Sequence, residues 1–145
     1  TSTYAAPGED KPIRLGELGV HGDGTDLAIV TYGNGYYLSR QAGKILRDRH
    51  GLNLRVIDLR WLAPLAEDSI VDATSGCGRV LIVDECRRTG SQSEALMALF
   101  AERAPAVDCR RLTAEDSFIP LGRAATITLP SRDSIVAAAL ELVRG

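Results

Sequence analysis

The sequence predicts an α/β fold in which a mostly parallel sheet carries helices on both faces. Its 145 residues suffice for one domain with a hydrophobic core. A hydrophobic content of 45% beside 25% charged residues is typical of soluble domains. Short apolar runs alternate with helix-period patterns, the order expected for parallel strands joined by helical crossovers. We expect residues 1–12 to be a linker and residues 13–145 to form the domain.

The first half of the chain is predicted to hold three strands and one helix. Residues 13–21 are short and mixed in pattern, and the Gly22-Asp23-Gly24 turn after them favours an antiparallel pair of the flanking segments. Residues 27–32 are almost continuously apolar, as in a strand buried on both faces. Residues 36–50 have a helical apolar face and are followed by Gly51, a helix stop. Residues 54–59 form the next strand.

The second half repeats the strand–helix order. A short helix is expected over residues 67–74, a buried strand over 80–83 and a further strand over 107–112. Ser91 is expected to open a helix with Glu94 three residues on, a capping box in which each side chain satisfies a free backbone N–H. Residues 114–129 are irregular in pattern. Ser131 is expected to cap the last helix.

Composition excludes several classes of function. The net charge of −2 disfavours a nucleic-acid-binding module, which would usually show a basic face. The sequence contains no run of about 18 apolar residues, so it predicts no membrane span. The three cysteines, Cys77, Cys86 and Cys109, form no CxxC pair, so we expect free, buried thiols and a reducing cytoplasm. Neither His21 nor His50 stands in metal-ligand spacing, and no metal site is predicted.

Gly33-Asn34-Gly35 lies between a strand and a helix, like the start of a dinucleotide fingerprint. The third position of that fingerprint needs a small residue, so that helix and strand can approach closely, and here it is Leu38. The favoured interpretation is therefore a tight turn in which Asn34 tolerates an unusual φ and caps the helix. A nucleotide-binding Rossmann-like module is kept as the alternative from another class.

Two further loops follow strands. In residues 58–65, Arg60 is expected to pair with Asp58 or with another acid, and Trp61 to pack at an interface. Residues 84–91 lie between a strand end and a helix N-terminus, where ligands of open α/β sheets sit and anions are favoured. This loop is either a capped helix entry, in which Glu85 and Arg88 pair, or a surface that meets a subunit or an anion.

An ordered set of segments resembles one known family. The segments are IRLG at 13–16, GTDLAIVTYG at 24–33, VIDLRWLAPL at 56–65, VLIVDE at 80–85, RTG at 88–90 and LPS at 129–131. They are similar, in the same order, to the transketolase C-terminal domain of 2-oxo acid dehydrogenase beta subunits, the decarboxylating components of the pyruvate and branched-chain complexes. The resemblance covers residue 13 to the end.

The resemblance implies a three-layer α/β/α sandwich with a five-stranded sheet whose first strand is antiparallel to the rest. It implies that thiamine diphosphate and Mg²⁺ are held by other domains of the parent enzyme, and that this chain binds neither and supplies no catalytic residue. The Gly22-Asp23-Gly24 triplet lacks the Asn that the family's metal motif requires. The isolated domain is expected to be inactive.

Assembly is the role that the resemblance implies. The expected partners are other domains or subunits of the parent enzyme, a second copy in a homodimer and the lipoyl acyltransferase core, with no nucleic acid and no membrane. The residues expected to make these contacts are Glu85, Arg87, Arg88, Thr89, Ser91 and Trp61. The alternative within the superfamily is the same domain of a transketolase or a deoxyxylulose-phosphate synthase.

Overall fold

The computed structural model describes residues 13–118 and 120–145, so the expected linker at 1–12 lies outside it. The strands are β1 (Gly19–His21), β2 (Leu27–Thr31), β3 (Leu54–Asp58), β4 (Arg79–Arg87) and β5 (Asp108–Ala114). The helices are α1 (Asn34–His50), α2 (Glu67–Thr74), α3 (Gln92–Arg103), α4 (Ala125–Thr128) and α5 (Arg132–Arg144). A 3₁₀ turn over Gly122–Ala124 precedes α4, within the segment expected to be irregular.

Within the described residues, the five strands form one sheet in the order β1-β3-β2-β4-β5. Strands β3, β2, β4 and β5 are mutually parallel, whereas β1 is antiparallel to β3. The predicted α/β fold with an antiparallel first strand is thus confirmed. The inference from the Gly22–Gly24 turn that neighbouring segments pair was wrong, because both sides of β2 are taken by parallel partners and β1 occupies the free edge of β3.

The sheet separates two hydrophobic cores, which makes the sandwich three layers thick. On one face, Ala28, Val30 and Ile82 pack with α2 and α3. On the other face, Leu27, Ile29 and Leu81 pack with α1 and α5. Adjacent residues of β2 and β4 therefore point to opposite cores, as the period of a strand requires, and both faces are apolar. This explains the near-continuous apolar runs in the sequence.

Helix α1 shows how short-range signals set the ends of an element. Gly51 follows it in the left-handed conformation, with φ of 67°, and its N–H donates to the carbonyl of Arg47, as the sequence predicts. At the other end Gly33 has a positive φ of 58°, and Asn34 is the first residue of the helix. The expected cap by Asn34 is therefore wrong, since glycine already supplies the unusual φ.

Candidate functional site

The carboxyl edge of the parallel strands brings together three of the loops that the sequence singles out. Tyr32 follows β2, Trp61 lies beyond the end of β3, and residues 85–91 run from the last part of β4 to the start of α3. Because β2 lies between β3 and β4, the loops after these strands are neighbours in space. This edge is the candidate functional site.

Asp84 anchors the edge and is completely buried. Its Oδ1 accepts hydrogen bonds from the hydroxyl of Tyr32 at 2.5 Å and from the backbone N–H of Cys86 at 2.8 Å. Its Oδ2 accepts from the backbone N–H of Ser93 at 2.8 Å. A buried carboxylate is costly unless such donors surround it. These three bonds tie the ends of β2 and β4 to the beginning of α3.

The same contacts fix the protonation states of Asp84 and Tyr32. Burial by itself would raise the pKa of Asp84, but the hydrogen bonds donated by Tyr32 and the backbone outweigh it and hold that pKa below its ordinary value. Burial, together with the bond to Asp84, raises the pKa of Tyr32 far above its ordinary value. Asp84 is therefore an ionised acceptor and Tyr32 a neutral donor near neutral pH.

The start of α3 corrects one expectation. The side chain of Ser91 accepts no backbone N–H of the helix, and its Oγ lies 2.7 Å from the Oγ of Ser93. Glu94 accepts from the N–H of Gly90 rather than that of Ser91. The capping box is therefore absent: the N–H of Glu94, which the box would have paired with the Ser91 hydroxyl, donates to the Ser91 carbonyl, and the N–H of Ser93 donates to the Asp84 carboxylate. The expected cap of the last helix by Ser131 is confirmed, since its side chain accepts from the N–H of Ser134, and Ser134 completes a capping box.

Glu85 holds the first part of the loop against α1. Its Oε1 accepts a hydrogen bond from Nδ2 of Asn34 at 3.0 Å, across the ends of β4 and β2. The alternative in which Glu85 pairs with Arg88 is wrong. The backbone carbonyl of Arg88 instead accepts from Nη1 of Arg111 at 3.0 Å. The loop entry is thus fixed by side chains from two other elements.

The second part of the loop is fixed by Thr89, which binds Asp116, a residue that the sequence did not single out. Asp116 accepts from the backbone N–H of Thr89 at 2.8 Å and from its hydroxyl at 2.7 Å. The hydroxyl bond and then the backbone bond lower the pKa of Asp116. Nε of Arg87 donates to the carbonyl of Thr89 at 2.9 Å. The exposed side chains of the loop therefore stand on a well-defined backbone.

An open depression of ≈ 500 Å³ lies beside this loop. Tyr32, Leu62, Arg87 and Phe118 contribute to its lining, and Phe118 is 99% exposed. Cys86 also lines it and is exposed, which corrects the expectation that all three cysteines are buried; Cys77 is buried and Cys109 partly so. The depression joins polar loop atoms to an uncovered aromatic ring, a combination typical of contact surfaces.

The loop after β3 supplies Arg60 and Trp61 to the same edge. Arg60 has φ of 57°, an uncommon conformation for a residue with a side chain. Its guanidinium lies 3.8 Å from carboxylate oxygens of both Asp58 and Glu17, so both alternatives for its pairing are realised. Trp61 is 36% exposed. Its packing at an interface stays a prediction.

Among residues 13–118 and 120–145, no group of three or more His, Cys, Asp or Glu side chains is placed to hold a metal ion. The carboxylates at the loop already accept hydrogen bonds from protein donors; they are those of Asp84, Glu85, Glu94 and Asp116. In the same residues, no helix is long and apolar enough to cross a membrane.

The chain matches one protein family and is similar to beta subunits of one enzyme. The family model described as "Transketolase, C-terminal domain" matches residues 16–132. Pyruvate dehydrogenase E1 component subunit beta from Staphylococcus aureus is 32% identical over 138 residues, which are 93% of this chain and 42% of that protein. The Bacillus subtilis protein of the same name is 29% identical over 140 residues, 94% of this chain and 43% of its own. The chain therefore spans less than half the length of these relatives.

Solved structures agree on the fold. A split-gene transketolase, described as an inactive beta4 tetramer, superposes with a TM-score of 0.77 at 22% identity, over 89% of this chain and 43% of that one. A 2-oxoglutarate:ferredoxin oxidoreductase from Magnetococcus marinus gives a TM-score of 0.63 at 19% identity, over 88% of this chain and 20% of that one. At these identities the likeness concerns the fold alone.

Proposed function

Because the chain belongs to the transketolase C-terminal domain family, we propose that it is an assembly domain of a 2-oxo acid dehydrogenase decarboxylating component. The whole enzyme would decarboxylate a 2-oxo acid and pass the acyl group to a lipoyl arm. This domain would hold subunits together and break no bond itself. The pyruvate dehydrogenase beta subunits among its relatives support the dehydrogenase over other thiamine enzymes.

The observation that carries the assembly role is the construction of the carboxyl edge. Two carboxylates there are committed to structure, since Asp84 fastens strands to helix and Asp116 fastens the loop. The loop nevertheless presents Arg87, Arg88 and Thr89 to the outside, beside the uncovered ring of Phe118. A rigid backbone with exposed cationic and aromatic side chains suits protein recognition, because Arg and aromatic residues dominate interface energetics.

The partners follow from that surface. Exposed apolar side chains at Phe118, Leu121 and Ile127 occur along one stretch of chain next to the loop. A second copy of the chain, or another subunit of the enzyme, would cover them, with Trp61, Glu85 and Ser91 as neighbouring contacts. The lipoyl acyltransferase core is a further proposed partner. The proposed location is the cytoplasm, which the exposed free thiol of Cys86 favours.

The cofactor belongs, in this proposal, to other parts of the enzyme. The family's metal motif combines a Gly-Asp-Gly triplet with an Asn, and the triplet at residues 22–24 lacks that Asn. Gly22 and Gly24 of the Gly-Asp-Gly triplet have a different use: a Cβ on Gly22 would lie 2.7 Å from the carbonyl oxygen of Leu54, and one on Gly24 would collide with Asn53.

For the nucleotide-binding alternative at Gly33 and Gly35, packing offers another explanation of one glycine. Gly35 is buried, and a Cβ there would collide with Oγ1 of Thr31. The glycine is thus explained by close packing of α1 on β2. Leu38, at the position that the fingerprint keeps small, packs partly buried against the core. A transketolase or deoxyxylulose-phosphate synthase origin remains the alternative within the superfamily.

Calorimetry tests the proposal. Thiamine diphosphate with Mg²⁺, titrated to millimolar concentration into the protein, should give no binding heat. Saturable binding would contradict the assembly role. Turnover assays on an enzyme assembled with this chain then separate the superfamily members. We expect activity on 2-oxo acids; activity on sugar phosphates alone would assign the domain to a transketolase or a deoxyxylulose-phosphate synthase.

A further inference from the structure

A second surface lies at the opposite edge of the sheet. A groove of ≈ 420 Å³ runs between α1 and the turn that joins β1 to β2. Its lining includes His21 at the end of β1 and Arg40, Lys44 and Arg47 from α1, with Tyr37 beside them. The residues of the carboxyl-edge loop do not contribute to it. The family likeness and the assembly role leave this groove unexplained.

The wall of the groove that α1 forms is cationic. Arg40, Lys44 and Arg47 recur at the spacing that places side chains on one helical face. Within the described residues Lys44 has no carboxylate within 4.0 Å, and Arg47 has only Asp48, 3.6 Å away on the exposed surface. Like charges at this spacing repel and slightly destabilise a helix. An anion bound between these three cations would attract each of them and so offset their mutual repulsion.

Arg40 is held in position without its charge being neutralised. Its guanidinium lies 5.6 Å from the centre of the Tyr36 ring and donates to the Tyr36 hydroxyl at 3.4 Å. Aromatic contacts of this kind orient a cation but leave its positive charge available. Asp23 is the single carboxylate in the lining. The whole protein carries a net charge of −2, so the positive field of the groove is a local feature.

The opposite wall is rigid. The turn at residues 22–24 lies against the start of β3, and Nε of Arg55 donates to the carbonyl of Gly24 at 2.8 Å. Asp26 accepts from the N–H of Asn53 at 2.7 Å and donates its own N–H to the Asn53 carbonyl at 3.0 Å. The groove is therefore preformed.

We propose that this groove binds a small organic polyphosphate, a molecule with at least two phosphate groups and a planar ring. Multiple negative charges match the three cations of α1, and the volume falls within the range of small-molecule sites. Tyr37, 61% exposed at the rim, offers a ring face on which a planar group stacks. The site is independent of Gly33 and Gly35 at the beginning of α1.

Titration calorimetry in low salt tests the proposal with three probes: inorganic pyrophosphate, ATP and adenosine. Pyrophosphate should bind, ATP should bind more tightly, and adenosine should not bind. The double variant Arg40→Gln/Lys44→Gln should weaken ATP binding by roughly tenfold or more, as the loss of two charge contacts predicts. The matched control is Arg49→Gln, an exposed arginine of the same helix outside the groove, and it should leave Kd unchanged.

Three results would overturn the site. The first is no binding of pyrophosphate or ATP at millimolar concentration in low salt. The second is an equal loss of affinity in the Arg49→Gln control, which would indicate unspecific attraction to the helix. The third is tighter binding of a single-stranded oligonucleotide than of ATP, which would assign the groove to nucleic acid. Circular dichroism of the variants confirms that they are folded.

Discussion

The hydroxyl of Tyr32 donates a 2.5 Å hydrogen bond to the buried carboxylate of Asp84 and so joins the ends of the two central strands. Asp84 passes this constraint on to α3 through the N–H of Ser93. One side chain thus sets where β2, β4 and α3 lie relative to each other. The order of the exposed loop between β4 and α3 therefore depends on the hydrogen bonds of Asp84.

Replacing Asp84 by Asn tests the anchor. An amide keeps one acceptor, but its NH₂ group would face the N–H of Cys86 or of Ser93, and one buried donor would lose its partner. We expect the free energy of unfolding to fall by about 2–3 kcal/mol in urea denaturation at neutral pH. The matched variant Tyr32→Phe removes a single donor and should cost about half as much. An Asp84→Asn variant with the same free energy of unfolding as the wild type would contradict the role of the carboxylate.

Stability should also depend on pH through Asp84. Since the pKa of Asp84 is lower in the folded protein than in the unfolded chain, its contribution is complete above the unfolded value of about 4. It is lost as the pH falls towards the folded value. Urea denaturation between pH 7 and pH 3 should therefore show the advantage of the wild type over Asp84→Asn shrinking with acid. A difference that stays constant over this range would disprove the linkage.

Local signals predict most of the elements, because caps, glycine stops and apolar periods act over a few residues. The bounds of α2 and the stop of α1 at Gly51 are examples. Contacts between distant segments leave no such signal. Tyr32 and Asp84 are 52 residues apart, and the pairing of Thr89 with Asp116 spans 27. The capping box expected at Ser91 was also wrong, since the Ser91 hydroxyl pairs with the hydroxyl of Ser93 and the first turn of α3 donates to Asp84 instead.

Gly35→Ala should destabilise the protein although alanine favours helices. The new methyl group would collide with Oγ1 of Thr31, which already donates to the carbonyl of Val83 at 2.9 Å. We expect a loss of about 1–3 kcal/mol in the free energy of unfolding from overpacking. Gly43→Ala in the same helix is the control, because its methyl would meet only the flexible end of Leu54 and should cost much less. Equal effects would show that backbone propensity, rather than the fit of α1 on β2, explains both glycines.

Phe118→Asp should weaken self-association. The ring is 99% exposed beside Arg87 and Cys86, and a carboxylate at its place could not be buried against an apolar partner without a large desolvation cost. We expect sedimentation equilibrium to show a dimer for the wild type and a dissociation constant raised at least about tenfold for the variant. Val20 is 54% exposed on the edge strand β1, so Val20→Asp is the matched control and should leave the dimer intact. A wild type that stays monomeric at high concentration, or a control that dissociates equally, would remove the homodimer from the proposed assembly.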